Sequence, residues 1–218
     1  MKKALVKVCC INSLTEAKLA LAAGADLLGL VSEMPSGPGV IPLERIAEIV
    51  RALPSETRTV LLTSKLNSND IADQHKAVKT WGIQIVDKLP IIELKKLRKL
   101  LPKTRLLQVV HMQDKSSVSE ALSYTKFVDF ILLDSGKPRA KLRTLGGTGE
   151  IHDWNISREI CQQSTLPVLL AGGLNPDNII DAKKAVLPSG FDLCSGVRTD
   201  GKLDPEKLKK FMGLVHHR

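Results

Sequence analysis

Aromatic residues are scarce in this chain: its 218 residues hold two Trp, one Tyr and four Phe. The scarcity bears on partners, because single-stranded nucleic acid is held by bases stacking on aromatic rings set among basic residues. No aromatic interleaves with the densest basic stretch, Lys95-Lys96-Leu97-Arg98-Lys99 with Lys103 and Arg105. Leu94, Leu97, Leu100 and Leu101 fit the apolar stripe of a helix whose outer face carries those cations, so a solvated helix face is preferred to a nucleic-acid site. Cysteine is scarce as well. Cys9, Cys10, Cys161 and Cys194 lack the paired spacing of a zinc site, and no metal is expected. No window approaches the apolar length of a membrane helix, which argues against a membrane partner. The basic-then-apolar opening Met1-Lys2-Lys3-Ala4-Leu5-Val6 is cut by Lys7 before a signal peptide's apolar region can form. A cytoplasmic protein with reduced thiols is the expectation.

Also absent are a Ser/Gly/Pro-rich linker and any low-complexity tract, so the 218 residues read as one domain. What is present is alternation. Apolar, β-prone runs near 4–10, 26–31, 58–63, 83–86, 104–110, 128–133, 167–171 and 191–194 predict strands. Helix-period segments fit near 14–23, 43–52, 68–80, 91–100, 115–124, 153–163, 176–186 and 204–214. Ser13 before Leu14-Thr15-Glu16, Pro42, and Asn175-Pro176-Asp177 supply start signals for the first, second and seventh helices. Eight β-α units without a dinucleotide fingerprint favour a closed (β/α)8 TIM barrel, since Gly146-Gly147-Thr148-Gly149 does not directly follow a strand.

Such a barrel gathers every strand's C-terminal end on one face. Leu170-Ala171-Gly172-Gly173-Leu174 and Asp192-Leu193-Cys194-Ser195-Gly196 each end an apolar run in small residues ahead of a helix-like pattern, which suits backbone amides meeting a phosphate. With a formal charge of +9, the partner is read as a phosphorylated small molecule. Cys9 and Asp134 close the first and sixth strands and are the candidates for proton transfer, one removing a proton from carbon while the other donates one. Lys7, two residues earlier on the same strand face, is the charge that would hold Cys9 as thiolate. Adjacent residues of a strand face opposite ways, so only one of Cys9 and Cys10 is expected to reach the site. An Asp that ends a strand is equally a turn former. His111, at another strand end, reads either as a further acid-base group or as a structural histidine.

These residues resemble the phosphoribosylanthranilate isomerases of tryptophan biosynthesis. The similarity runs through Lys7-Val8-Cys9-Cys10-Ile11, Ala22-Ala23-Gly24-Ala25-Asp26 with Leu28-Gly29-Leu30-Val31, and Leu132-Leu133-Asp134-Ser135. It continues through Gly146-Gly147-Thr148-Gly149 with Asp153-Trp154, Leu170 to Asn178, and Asp192 with Ser195-Gly196-Val197, covering nearly the whole chain. The resemblance implies an Amadori rearrangement that opens a phosphoribosylamine ring to a 1-amino-1-deoxyribulose. In it Asp134 matches the general acid on the ring oxygen, Cys9 matches the base at C2, and no external cofactor is needed. Phosphate falls to Gly172, Gly173, Ser195 and Gly196; Lys7, Gln84, Gly147, Thr148, Gly149 and Asp192 fall around the substrate.

Four positions depart from the family pattern. Ser36-Gly37-Pro38-Gly39 stands where the family has Ser-Pro-Arg, whose arginine helps hold the anthranilate end. Gln84-Ile85-Val86-Asp87 replaces Gln-Leu-His-Gly, Cys10 replaces the glycine after the catalytic cysteine, and Arg198 replaces an acidic residue. Arg139, Arg143 and Arg198 are the candidates to supply the lost positive charge. Two alternatives therefore stand beside the anthranilate reading: a related isomerase for another phosphoribosylamine, and a non-catalytic barrel that binds a phosphorylated ligand or RNA. Retention of both Cys9 and Asp134 weighs against the second.

Overall fold

A computed structural model describes residues 3–35, 37–135 and 152–216 of the chain. The strands are β1 (Leu5–Val8), β2 (Leu27–Val31), β3 (Thr59–Thr63), β4 (Gly82–Ile85), β5 (Arg105–His111), β6 (Phe130–Asp134), β7 (Val168–Leu170) and β8 (Gly190–Leu193). They pair in parallel in chain order, and β8 returns to β1 through Leu5↔Gly190 to Val8↔Leu193, so the sheet closes. Between and after them run α1 (Leu14–Ala22), α2 (Leu43–Ala52), α3 (Ser68–Val78), α4 (Ile91–Leu100), α5 (Ser116–Tyr124), α6 (Trp154–Gln163), α7 (Ile179–Val186) and α8 (Pro205–His216). The expected (β/α)8 barrel is present.

Strand periodicity divides the apolar residues between two cores. Outward residues such as Val6, Val8, Leu28, Leu30, Ile83 and Ile85 pack against the helices, which cover them with buried positions such as Ile46 and Ile49 of α2 and Leu94 and Leu97 of α4. The inward set includes Leu27, Val60, Leu107, Leu132 and Leu169, which plug the barrel floor. Each fully buried aliphatic side chain of this kind contributes roughly 1.5–3 kcal/mol. The inward rows end at the mouth in polar or small residues, including Cys9, Gln84, His111, Asp134, Ala171 and Asp192. The same alternation that builds the plug therefore aims the chemistry.

Two helix ends and one helix face are among the departures from expectation. The seventh helix begins at Ile179, not at Pro176, because Asn175 Oδ1 accepts the Asp177 N–H (2.8 Å) and the segment forms a turn first. α3 stops at Val78 because Lys79 takes left-handed backbone (φ 55°) and donates its N–H to His75 O. Leu100 is 45% exposed, so the apolar stripe of α4 is narrower than predicted. A 3-10 turn (Ser195–Val197) and a small antiparallel hairpin, β9 (Arg198–Thr199) with β10 (Lys202–Leu203), precede α8 and had no sequence signal in the strand pattern. Among the described residues no helix is long and apolar enough to cross a membrane.

Candidate active site

The C-terminal ends of the strands surround a cavity of about 680 Å³, open mouth included. Cys9, Gln84, His111, Asp134, Gly172, Gly173, Asp192 and Ser195 all line it. Lys7 lies one layer below, wholly buried. Gly147, Thr148 and Gly149, with Arg139 and Arg143, lie outside the described residues. Among the described residues no group of His, Cys, Asp and Glu is placed to hold a metal ion.

Lys7 is the electrostatic centre. Its Nζ donates to Asp192 Oδ1 at 2.9 Å across the β1–β8 pairing, which sets Lys7 opposite Asp192. Burial opposes a charge on Lys7, but the acidic groups around it, Asp192 first and then Cys9, hold its pKa above the usual lysine value. Burial pushes Asp192 up to about 8 despite Lys7. Cys9 moves the other way. A hydrogen bond from Cys10, opposed by burial and joined by the Lys7 charge, lowers its thiol to about 6. One buried cation thus faces several acids, Asp192 in direct contact and Cys9 beside it.

Asp134 stands at the end of β6, paired in register with His111. Burial raises its pKa, with the His111 charge pulling the other way. Its Oδ1 also accepts the Ser135 N–H at 2.8 Å, so the turn role foreseen for a strand-end Asp coexists with exposure to the mouth. His111 likewise fits both of its readings. One ring nitrogen, Nε2, bonds Val86 O at 2.8 Å, while Nδ1 is buried with no partner among the described residues and the ring lines the cavity. Gln84 Oε1 is likewise buried and unpartnered at the cavity wall, leaving an acceptor for a ligand hydroxyl or N–H.

The glycine segments make a second wall. Gly172 (φ +84°) and Gly173 (φ +63°) are successive left-handed residues, and a Cβ on Gly172 would meet Ser135 Oγ at 2.7 Å. A Cβ on Gly196 would overlap Leu174 O, which ties the two segments together. Among the described residues the amides of Gly172, Gly173, Ser195 and Gly196 donate to no backbone acceptor. Free N–H groups on a glycine-lined wall, with the 3-10 turn starting at Ser195, suit an anion. Replacing Gly196 by Val is expected to force the two segments apart and weaken ribose 5-phosphate binding at least about tenfold. Calorimetric titration checks this, and unchanged affinity in a folded variant would place the anion elsewhere.

Two expectations fail. Cys9 and Cys10 both line the mouth, because β1 ends at Val8 and Cys10 adopts left-handed backbone (φ +62°) that turns its side chain back toward the site. Arg198 is not free to meet a ligand carboxylate. Its guanidinium is spent on Glu16 Oε1 and Oε2 (2.9 and 3.1 Å), Cys10 O (2.6 Å) and Gly201 O (2.9 Å). It braces the loop after β1 instead. The residue missed by sequence reasoning is Gly29 in the middle of β2, where a Cβ would sit 2.9 Å from Cys9 Sγ and 3.0 Å from Lys7 Nζ. A glycine inside a strand pattern marks such close approach, and that signal was available.

The chain is similar in sequence and fold to known proteins. The sequence model of the N-(5'-phosphoribosyl)anthranilate isomerase family matches residues 6–213. The chain is 33% identical to the N-(5'-phosphoribosyl)anthranilate isomerase of Methanosarcina acetivorans, with 98% of this chain and 93% of that protein aligned. It is 31% identical to the enzyme of that name from Methanocella arvoryzae, over 96% of this chain and 93% of the relative. Among solved structures, phosphoribosyl anthranilate isomerase from Thermotoga maritima superposes with a TM-score of 0.83 at 28% identity, covering 97% of this chain and 98% of the other. A phosphoribosyl anthranilate isomerase in complex with reduced 1-(o-carboxyphenylamino)-1-deoxyribulose 5-phosphate gives 0.80 at 25% identity over 97% and 98%. With the family model spanning nearly the whole barrel and these relatives aligned end to end, the chain belongs to the N-(5'-phosphoribosyl)anthranilate isomerase family.

Proposed function

We propose that the chain is an isomerase that converts N-(5'-phosphoribosyl)anthranilate to 1-(2-carboxyphenylamino)-1-deoxyribulose 5-phosphate in tryptophan biosynthesis, working as a single barrel domain. The observation that carries this reading is one cavity lined by an ionisable thiol, a half-buried carboxyl and a glycine wall whose amides donate to no backbone acceptor among the described residues. The phosphate is held at Gly172, Gly173, Ser195 and Gly196. Asp134, protonated, gives its proton to the ring oxygen as the C1–O bond breaks and the nitrogen lone pair forms the C1=N bond. Cys9 thiolate then takes the C2 proton, and those electrons move to C2=C1 while the C=N pair returns to nitrogen. The resulting enol becomes the ketone as C1 gains a proton and the C2 hydroxyl loses one. The substrate nitrogen is the electron sink throughout, so these steps call on no further group.

The opposite wall supports a second reading, of the aglycone. Met34, Gly37, Pro38 and Leu62 face the mouth there, and no Lys or Arg lines it among the described residues. A substrate carboxylate at this wall lacks the bidentate partner that an arginine provides. Fluorescence loss on mixing the protein with freshly made phosphoribosylanthranilate tests the function directly, and Pro38→Arg tests the wall. The parent is expected to turn over the anthranilate and aniline adducts at rates within about tenfold of each other, and the variant to gain selectively with anthranilate. No turnover of either adduct by either protein would refute the isomerase assignment.

A further inference from the structure

Two thiols meet at the rim of the mouth. Cys10 Sγ and Cys194 Sγ lie 2.7 Å apart. Unbonded carbon atoms settle at about 3.5–4.0 Å, whereas a disulfide closes to about 2.05 Å. The backbone holds the two sulfurs in this contact. Cys10 keeps left-handed backbone at φ +62°, a region uncommon for residues with a side chain. Gly39, itself left-handed, is packed so tightly on Cys10 that a Cβ there would come within 2.6 Å of Cys10 Cβ. Arg198 Nη2 grips the carbonyls of Cys10 and Cys9 at 2.6 and 3.3 Å. On the other side, Cys194 leads directly into the turn Ser195–Val197. A strained residue held from several directions at an active-site rim is the kind of outlier that marks a functional device. Both residues line the open cavity and Cys194 is half-buried, so a small solute has access to the pair through Cys194.

We infer that Cys10 and Cys194 form a reversible dithiol–disulfide site that takes a low-molecular-weight disulfide as its oxidant and stops turnover when bridged. Its activity readout rests on the isomerase reading above; its chemistry does not. The Cys194 thiol gives up its proton to solvent, and the thiolate attacks one sulfur of the small disulfide, whose S–S bond breaks and releases the first small thiolate. Cys10, losing its proton in turn, attacks Cys194 Sγ and expels the second. Two protein thiols are oxidised by two electrons and one small disulfide is reduced to two thiols. The bridge consumes the thiol of Cys10, the residue next to Cys9, and ties the loop after β1 to the segment that carries Ser195 and Gly196. Base and anion wall are affected together.

The full chain is incubated with glutathione disulfide, the remaining thiols are alkylated, and non-reducing peptide mapping locates the bonds while the isomerase rate is followed before and after dithiothreitol. The expected result is a Cys10–Cys194 cross-link, a rate lowered at least about tenfold and recovered on reduction, with Cys194→Ala keeping its own reduced rate through the same treatment. Cys10→Gly, expected to resist in the same way, serves if Cys194→Ala does not fold. Alkylation of both thiols in the oxidised sample overturns the proposal, as does a mixed disulfide on Cys9 with equal rate loss in the variants. An unchanged rate in the bridged protein also overturns it. A protein with no isomerase rate even when reduced refutes the isomerase reading, and the peptide map then decides the bridge alone.

Discussion

Cys9→Ser and Asp134→Asn are each expected to lower kcat by at least about a hundredfold while KM changes far less, because each removes a proton-transfer group that acts only in the transition state. A serine hydroxyl does not ionise near neutral pH, whereas Cys10 and the Lys7 charge, working against burial, leave Cys9 with a pKa of about 6. The pH profile separates the roles. Cys9 must be deprotonated, so the acidic limb rises as pH passes through about 6. Asp134 must be protonated, and its raised pKa extends the range in which it is, so the alkaline limb falls as that proton is lost. Asp134→Asn should keep the rise and lose the fall. Steady-state rates across the pH range check both statements. Full activity in Cys9→Ser would reduce the thiol to core packing and leave His111, with its unpartnered Nδ1, as the base.

Most of this site was legible in the sequence because a barrel turns strand order into spatial order. Once the eight apolar runs are placed, each last inward residue must reach the same mouth, and Cys9, Asp134, Asp192 and the two glycine segments follow. The unread parts depend on backbone outside the period-two pattern. Strand alternation points Cys10 away from the site, but the strand ends two residues earlier and the left-handed turn cancels the alternation. The charge of Arg198 is visible in the sequence and suits a substrate carboxylate, while its partner Glu16 lies 182 positions away on the first helix. Gly29 reads as part of a motif and not as room for the thiol and the ammonium beside it. The first is a local backbone turn and the other two are tertiary contacts, and periodicity carries no information about any of them.

Replacing Lys7 by Met is expected to be the most damaging change that leaves both proton-transfer groups in place. The ammonium is wholly buried and balances Asp192 at 2.9 Å, so its loss strands an acid in the barrel. Breaking a buried pair by removing one partner typically destabilises by about 3–5 kcal/mol. Here burial already pushes Asp192 up and only Lys7 opposes it, so without Lys7 the carboxyl takes up a proton and avoids part of that loss. The thiolate also takes up a proton: without the cation its pKa rises from about 6 toward that of a free thiol, about 8.5, by the share that Lys7 and not Cys10 supplies, and the thiolate fraction at pH 7 falls. The acidic limb of kcat should move to higher pH by the same amount. Lys7→Met with Asp192→Asn separates the two consequences, since it removes both charges. Denaturant unfolding should show stability recovered relative to Lys7→Met alone, whereas the displaced acidic limb should persist. If the double variant instead regains the parent's pH profile, Lys7 acts on Asp192 only, and the thiolate owes its stability to Cys10 alone.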